Sequence, residues 1–256
     1  MKRFVLTGLA GLLLAYSAPA NAQAGKPEKG NPPSQVVFLN FEGKDSSGAW
    51  PKNFAVRPFG EEAEYLEESF LEHSRKMKKT VTASVRGYFG KYNIHIVSSD
   101  EMKMESIDGE FSQVYFGGTC PLGGHFSYSL GMSETIDVGN LRKDDNAVVF
   151  TRTFLLFKPF NPSWETYSRL MGLLAAHEIG HLLGLSHDNE RFSIMSLDGN
   201  DGTHTDKGQD SSLQVDKSFS FKRASSSWPV PPDSATFQDA PAYLERMLGP
   251  APAKKR

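Results

Sequence analysis

The sequence is poor in the features that mark specialised protein classes. It contains a single cysteine, Cys120, so no disulfide can form within the chain, and stability must come from core packing or a bound metal. It has no marked excess of either charge. The 28 basic and 30 acidic residues give a formal net charge of −2, which argues against nucleic acid as a partner because phosphate binding needs a basic surface. No apolar run is long enough for a membrane span; Phe4 to Tyr16 falls well short of the ~20 residues required. No internal repeat is present. What remains, 256 residues of which 39% are hydrophobic, excludes a disordered polymer, a collagen-like fibre and a disulfide-stapled mini-protein. The chain is long enough to bury a sizeable core.

The first residues read as a targeting segment. Lys2 and Arg3 precede the apolar run, and Ala20-Asn21-Ala22 offers a small-x-small cleavage site. Residues 1–22 are therefore expected to be a Sec-type signal peptide, and the mature chain to be secreted or periplasmic in a bacterium. No cysteine directly follows the apolar run, so no lipoprotein anchor is expected. Residues 23–35 read as a flexible leader, 36–249 as one folded domain, and 250–256 as a disordered Pro/Ala tail ending in Lys-Lys-Arg.

Within the domain, Val36 to Phe41, Ile94 to Val97, Gln113 to Phe116, Phe126 to Leu130 and Ala147 to Phe157 are strand candidates, the last changing structure near Thr153. Glu61 to Phe89 predicts a long helix, since Leu66, Phe70, Met77, Val81, Val85 and Tyr88 form one helical stripe. Acidic residues open that segment and basic ones follow, an order that suits the helix dipole. A second helix starts at the N-cap candidate Ser163 and runs to about Gly184, and Asp239 can cap a short third one. The Gly-rich stretch 117–124 is not a phosphate loop, because no Gly-Lys-Ser/Thr follows it. The order strand, helix, strands, helix, loop, helix predicts an α/β (α+β) domain.

One segment carries chemistry: His177-Glu178-Ile179-Gly180-His181-Leu182-Leu183-Gly184-Leu185-Ser186-His187. On a helix, His177 and His181 lie on one face one turn apart, able to share a metal ion. Gly184 lets the chain leave the helix at a left-handed φ, so that His187 can return as a third ligand. Three imidazoles favour Zn²⁺ and leave a fourth position for water. Glu178 flanks the metal without binding it. It is placed to take a proton from the zinc-bound water and pass it to the leaving amine, which is metal-assisted peptide hydrolysis.

Together with Ser193-Ile194-Met195-Ser196, this segment resembles the metzincin clan of zinc peptidases. The resemblance is sharp over 177–196 and looser over most of 36–249. It implies a single metzincin-like domain: a twisted mixed sheet, a long helix, an active-site helix, a Met turn at Met195 beneath the metal and a C-terminal helix. It also implies a zinc endopeptidase, expected to be a monomer, acting on protein or peptide substrates. Asp188, after the third histidine, resembles the adamalysin (reprolysin) type. Leu197 stands where astacins and serralysins carry a tyrosine ligand, so none is expected. The leader is too short for a typical inhibitory prodomain. Cys120 lacks the surroundings of a matrixin cysteine switch and reads as a small, partly buried residue.

Other candidates are plainer. His73, His95, His125 and His204 are scattered and read as surface or satisfied histidines. Asp198, Asn200, Asp201, Asp206 and Asp210 could supply calcium oxygens, but Gly202 breaks the EF-hand pattern and the stretch reads as loop. A zinc-containing binding module without turnover is the alternative to the enzyme, and the retention of Glu178 speaks against it. A purely structural protein leaves the three histidines unexplained.

Overall fold

The computed structural model describes residues 35–44, 56–59, 68–121, 129–155, 163–188, 190, 192–196, 219–224, 226–228 and 238–251. Strands β1 (Gln35–Asn40), β2 (Ile94–Ser98), β3 (Ser112–Phe116), β4 (Gly131–Ser133) and β5 (Asn146–Val149) form one sheet in the order β2-β1-β3-β5-β4. The pairs β1–β2, β1–β3 and β3–β5 are parallel, and β4 runs antiparallel to β5. Parallel neighbours need crossovers, and helix α1 (Glu68–Phe89) lies on the first of them. The central strands are apolar in succession because both sheet faces are covered. Val37, Leu39, Val114, Phe116, Ala147 and Val149 join the main core with the helices, while Tyr115 and Val148 pack with Val56, Cys120 and Phe150 in a second cluster.

Met77, Val81 and Val85 of α1 are buried as the stripe requires, and Phe89 joins them; residues 61–67 lie outside the described residues. The stripe packs against α3 (Trp164–Leu182), where Gly172 allows close approach. A Cβ at Gly172 would stand 2.6 Å from that of Ser84. Ser163 caps α3 by accepting a hydrogen bond from the Thr166 amide, and Asp239 caps α4 (Ala240–Leu248) through the Ala242 amide. Leu244 and Leu248 anchor α4 in the main core. No helix among the described residues is long and apolar enough to cross a membrane.

Three local expectations are corrected. The apolar run from Ala147 is strand only to Val149; helix α2 (Thr151–Leu155) follows. Its threonines favour strand locally, but tertiary hydrogen bonds override that preference. Thr153 Oγ1 accepts from the Cys120 amide at 3.0 Å, the Thr151 carbonyl accepts from the Tyr167 hydroxyl at 2.9 Å, and the Arg152 amide donates to the Gly118 carbonyl. Of the strand sought in Phe126 to Leu130, Ser129 and Leu130 are not strand and residues 126–128 lie outside the described residues; β4 begins at Gly131. Residues 223–228, for which the sequence suggested no element, hold β7 (Arg223–Ala224) and β8 (Ser226–Trp228), two elements too short to show a period. They pair with β9 (Gln238–Asp239) and β6 (His187–Asp188) respectively. Order also extends past residue 249: Pro250 bridges to Tyr92, and the Ala251 amide donates to the Lys91 carbonyl. The signal segment, residues 252–256, His125, His204, Leu197 and the acidic stretch 198–210 lie outside the described residues.

Candidate metal centre

Helix α3 delivers two of the three histidines. His177 and His181 occupy its last turns, one helical repeat apart. The helix then stops at a left-handed residue, Gly184, with φ of +94°. The Gly184 amide donates to the His181 carbonyl and the Leu185 amide to the Gly180 carbonyl, so the chain folds back on its own helix end. A side chain at Gly184 would also stand 2.6 Å from the Asp137 carbonyl oxygen and 2.8 Å from Val138 Cα. The turn leads directly into β6, whose first residue is His187.

The three Nε2 atoms form a nearly equilateral triangle. The edges are 3.1 Å from His177 to His181, 3.0 Å from His181 to His187, and 3.1 Å from His187 to His177. Three nitrogens at that spacing lie on a circle of radius about 1.8 Å, so a point at the ~2.0–2.1 Å zinc–nitrogen distance from all three exists. Protonation is arranged accordingly. His177 Nδ1 faces the Ile194 carbonyl at 2.6 Å and His181 Nδ1 faces the Leu185 carbonyl at 2.8 Å. Each carbonyl can only accept, so each Nδ1 carries the proton and each Nε2 turns a lone pair to the centre. Burial lowers the pKa of His177 and lowers that of His181 well below its ordinary value, with the neighbouring imidazoles adding to the effect at His181. Neutral imidazoles with converging lone pairs are a donor set suited to a zinc ion. Among the described residues this is the one group of three or more His, Cys, Asp or Glu side chains arranged to hold a metal.

Glu178 sits beside His177 and is buried. Desolvation pushes its carboxyl up to about 8 in the metal-free protein; a dication nearby would pull it down. Its space is provided by Gly131, the first residue of β4. A Cβ on Gly131 would overlap Glu178 Oε1 and stand 2.8 Å from Cδ and 2.9 Å from Cγ. Nothing in the sequence singled out Gly131, because the strand and the helix that meet there are far apart along the chain.

The segment after His187 closes under the helix. Met195 is fully buried, and Gly180, between the two helical histidines, leaves room for its thioether; a Cβ there would overlap Met195 Sδ. Asp188, also fully buried, ties this turn to the third histidine. Its Oδ2 accepts from Ser193 Oγ at 2.6 Å, its Oδ1 accepts from the Glu190 amide at 3.0 Å, and its own amide donates to the Met195 carbonyl at 2.8 Å. Ser193 Oγ in turn accepts from the Met195 amide. The role of Ser193 was visible only as part of the Met-turn motif. Cys120 is buried in the second apolar cluster and is not part of the histidine group. His73 stacks on Trp164 at 4.9 Å, and His95 is exposed on β2.

Residues 97–209 match the Matrixin (Peptidase_M10) family model, a little under half of the chain. No curated protein matches the chain significantly. Among solved structures, the chain is similar to archaemetzincin from Methanopyrus kandleri, with 16% identity, a TM-score of 0.34, and 66% of this chain and 83% of that one covered. It is also similar to metalloproteinase-II from Bacteroides fragilis, with 14% identity, a TM-score of 0.32, and 66% and 47% covered. The family match, taken with the sequence signature, supports a metzincin-clan metallopeptidase.

Proposed function

We propose, from that metzincin-type chain, a secreted zinc-dependent endopeptidase in which His177, His181 and His187 hold the metal and Glu178 is the general base. The observation that carries the reading is the convergence of three Nε2 lone pairs within 3.1 Å of one another beside a buried carboxylate. Bound zinc would supply Lewis acidity, polarising a peptide carbonyl and acidifying water. Glu178 accepts the proton of the attacking water and later donates it to the leaving amine nitrogen. Gly131 keeps open the space the Glu178 carboxylate occupies. The carbonyls of Ile194 and Leu185 hold the His177 and His181 rings in the tautomer that leaves Nε2 free to bind. Export is supported by the basic start, the apolar run and the Ala20-Asn21-Ala22 site, with the mature chain expected to begin at Gln23 or close by.

The test is Glu178→Ala, in protein collected after export and checked by N-terminal sequencing. Zinc per chain should stay near the wild-type value. Cleavage of a denatured protein pool should fall by about 10²–10⁴-fold, the usual contribution of general acid–base catalysis. Equal cleavage by the two proteins would remove Glu178 as the base. Full zinc with no cleavage by either would favour the non-catalytic binding module.

A further inference from the structure

We infer that Gln238 is a positioning residue for the third histidine. Its side-chain amide closes a pair of hydrogen bonds on the backbone of Ser186, immediately before His187, and so fixes where that imidazole stands. The inference rests on the metal-site reading above.

The turn between α3 and His187 is buried, with Leu185 fully enclosed and Ser186 nearly so. Its backbone groups therefore need partners inside the protein. The Leu185 amide donates to the Gly180 carbonyl, and the Leu185 carbonyl faces His181 Nδ1. The Asp188 amide donates to the Met195 carbonyl. These partners all come from the helix end or the Met turn. The two groups of Ser186 are satisfied from elsewhere. The Ser186 amide donates to Gln238 Oε1 at 2.8 Å, and Gln238 Nε2 donates to the Ser186 carbonyl at 3.0 Å. A primary amide presents an acceptor and a donor side by side, which lets it stand in for a neighbouring strand. Such a stand-in is useful here because the β6–β8 pairing is irregular, with a register shift between His187 and Asp188.

Gln238 is itself held on both sides. In β9 it lies opposite Ala224 of β7. The next residue, Asp239, caps α4 through the Ala242 amide, and α4 is sunk in the main core by Leu244 and Leu248. The Tyr243 hydroxyl on α4 also accepts from the Gly139 amide, in the loop that lies against Gly184. Gln238, just ahead of the C-terminal helix, thus reaches the residue before the third histidine, 52 positions away in sequence. Partners that orient a metal ligand typically affect metal affinity by 10–100-fold when removed.

The experiment measures zinc affinity by chelator competition on folded wild-type, Gln238→Ala, Gln238→Glu and His187→Ala proteins, well below their unfolding temperatures. Gln238→Ala should raise the zinc Kd by about 10–100-fold, mainly through faster dissociation. Gln238→Glu keeps the acceptor for the Ser186 amide and loses the donor, so its Kd should lie between those of wild type and Gln238→Ala. A merely structural role would lower the unfolding midpoint of the metal-free variant and leave the Kd of the folded protein unchanged; that result overturns the inference. If Gln238→Ala does not fold, hydrogen exchange of the Ser186 amide in the wild type decides: strong protection supports the clamp and loop-like exchange refutes it. Failure of the metal reading shows separately, as wild-type protein with no tight zinc site or as His187→Ala with unchanged affinity. Ser186 exchange then decides the clamp alone.

Discussion

At the scale of single residues, the pair Gly131 and Glu178 shows how a missing side chain can matter as much as one that is present. Glu178 occupies the volume in which a Cβ on residue 131 would lie. Alanine at 131 must therefore displace the carboxylate, the β4 backbone, or both. A misplacement of about 1 Å near reacting groups can cost on the order of 10²-fold. Gly131→Ala should lower kcat/KM by about that factor with zinc content intact. Shortening the acid relieves the overlap, so Glu178→Asp should cost less in the Gly131→Ala background than in the wild type. Rates and zinc per chain of the two single variants and the double variant test this, and wild-type turnover by Gly131→Ala would falsify it. Asp188 belongs to the same scale. Its carboxylate joins the third histidine's strand to the Met turn through Ser193, a structural task for the residue whose identity the sequence used only for classification.

Between elements, the site depends on how a helix ends. Two of the three converging histidines follow from helical periodicity, but bringing the third to them needs α3 to stop and reverse within a few residues. Gly184 meets that need twice over, by its φ of +94° and by its close approach to the Asp137 carbonyl and Val138. Those neighbours are backbone and cannot step aside as a side-chain tip could. Gly184→Ala should destabilise the metal-free protein by more than about 2 kcal/mol, combining left-handed strain with overlap. Zinc binding should weaken as well, because His187 moves with the turn. Denaturant midpoints with and without zinc provide the measurement; a midpoint equal to wild type would mean that the turn tolerates a side chain.

For the molecule as a whole, pH should act on stability through a buried acid away from the histidines. Asp145 precedes β5 and is fully buried; Oδ1 accepts from Ser112 Oγ at 2.5 Å, while Oδ2 is buried with no hydrogen-bond partner. Burial, first of all, pushes its pKa up to about 7, with Asp137 and Glu134 adding to the rise. Between its unfolded pKa of about 3.9 and that value, the native state holds a proton that the unfolded chain has released. Bound protons then favour the native state, so this contribution falls as pH rises through the window and levels off above it. Asp145→Asn cannot ionise and lacks the effect. Stability lost between about pH 4 and pH 8 should be smaller in the variant by on the order of 3 kcal/mol. Urea unfolding of both proteins across that range checks it, with parallel pH profiles as the outcome that rejects it. Comparing the two cancels other groups, including Glu178, whose raised pKa acts with the same sign.

The sequence by itself determined the parts whose physics is local. A helical period places His177 and His181 on one face, a glycine marks the helix end, Ser163 and Asp239 cap helices, and the stripe Met77, Val81 and Val85 finds the core. The histidine triad follows from such signals, because residues within a few positions of one another report their own geometry, whereas the mixed sheet was expected only from the family resemblance. Tertiary structure alone decided the rest. It turned Thr151 to Leu155 into helix by supplying distant hydrogen-bond partners, and it set the edge strand β4 from Gly131 to Ser133. It also brought Gly131 against Glu178 and Gln238 against Ser186. Each of these joins segments tens of residues apart, where no periodicity connects them and only packing in three dimensions sets which atoms meet.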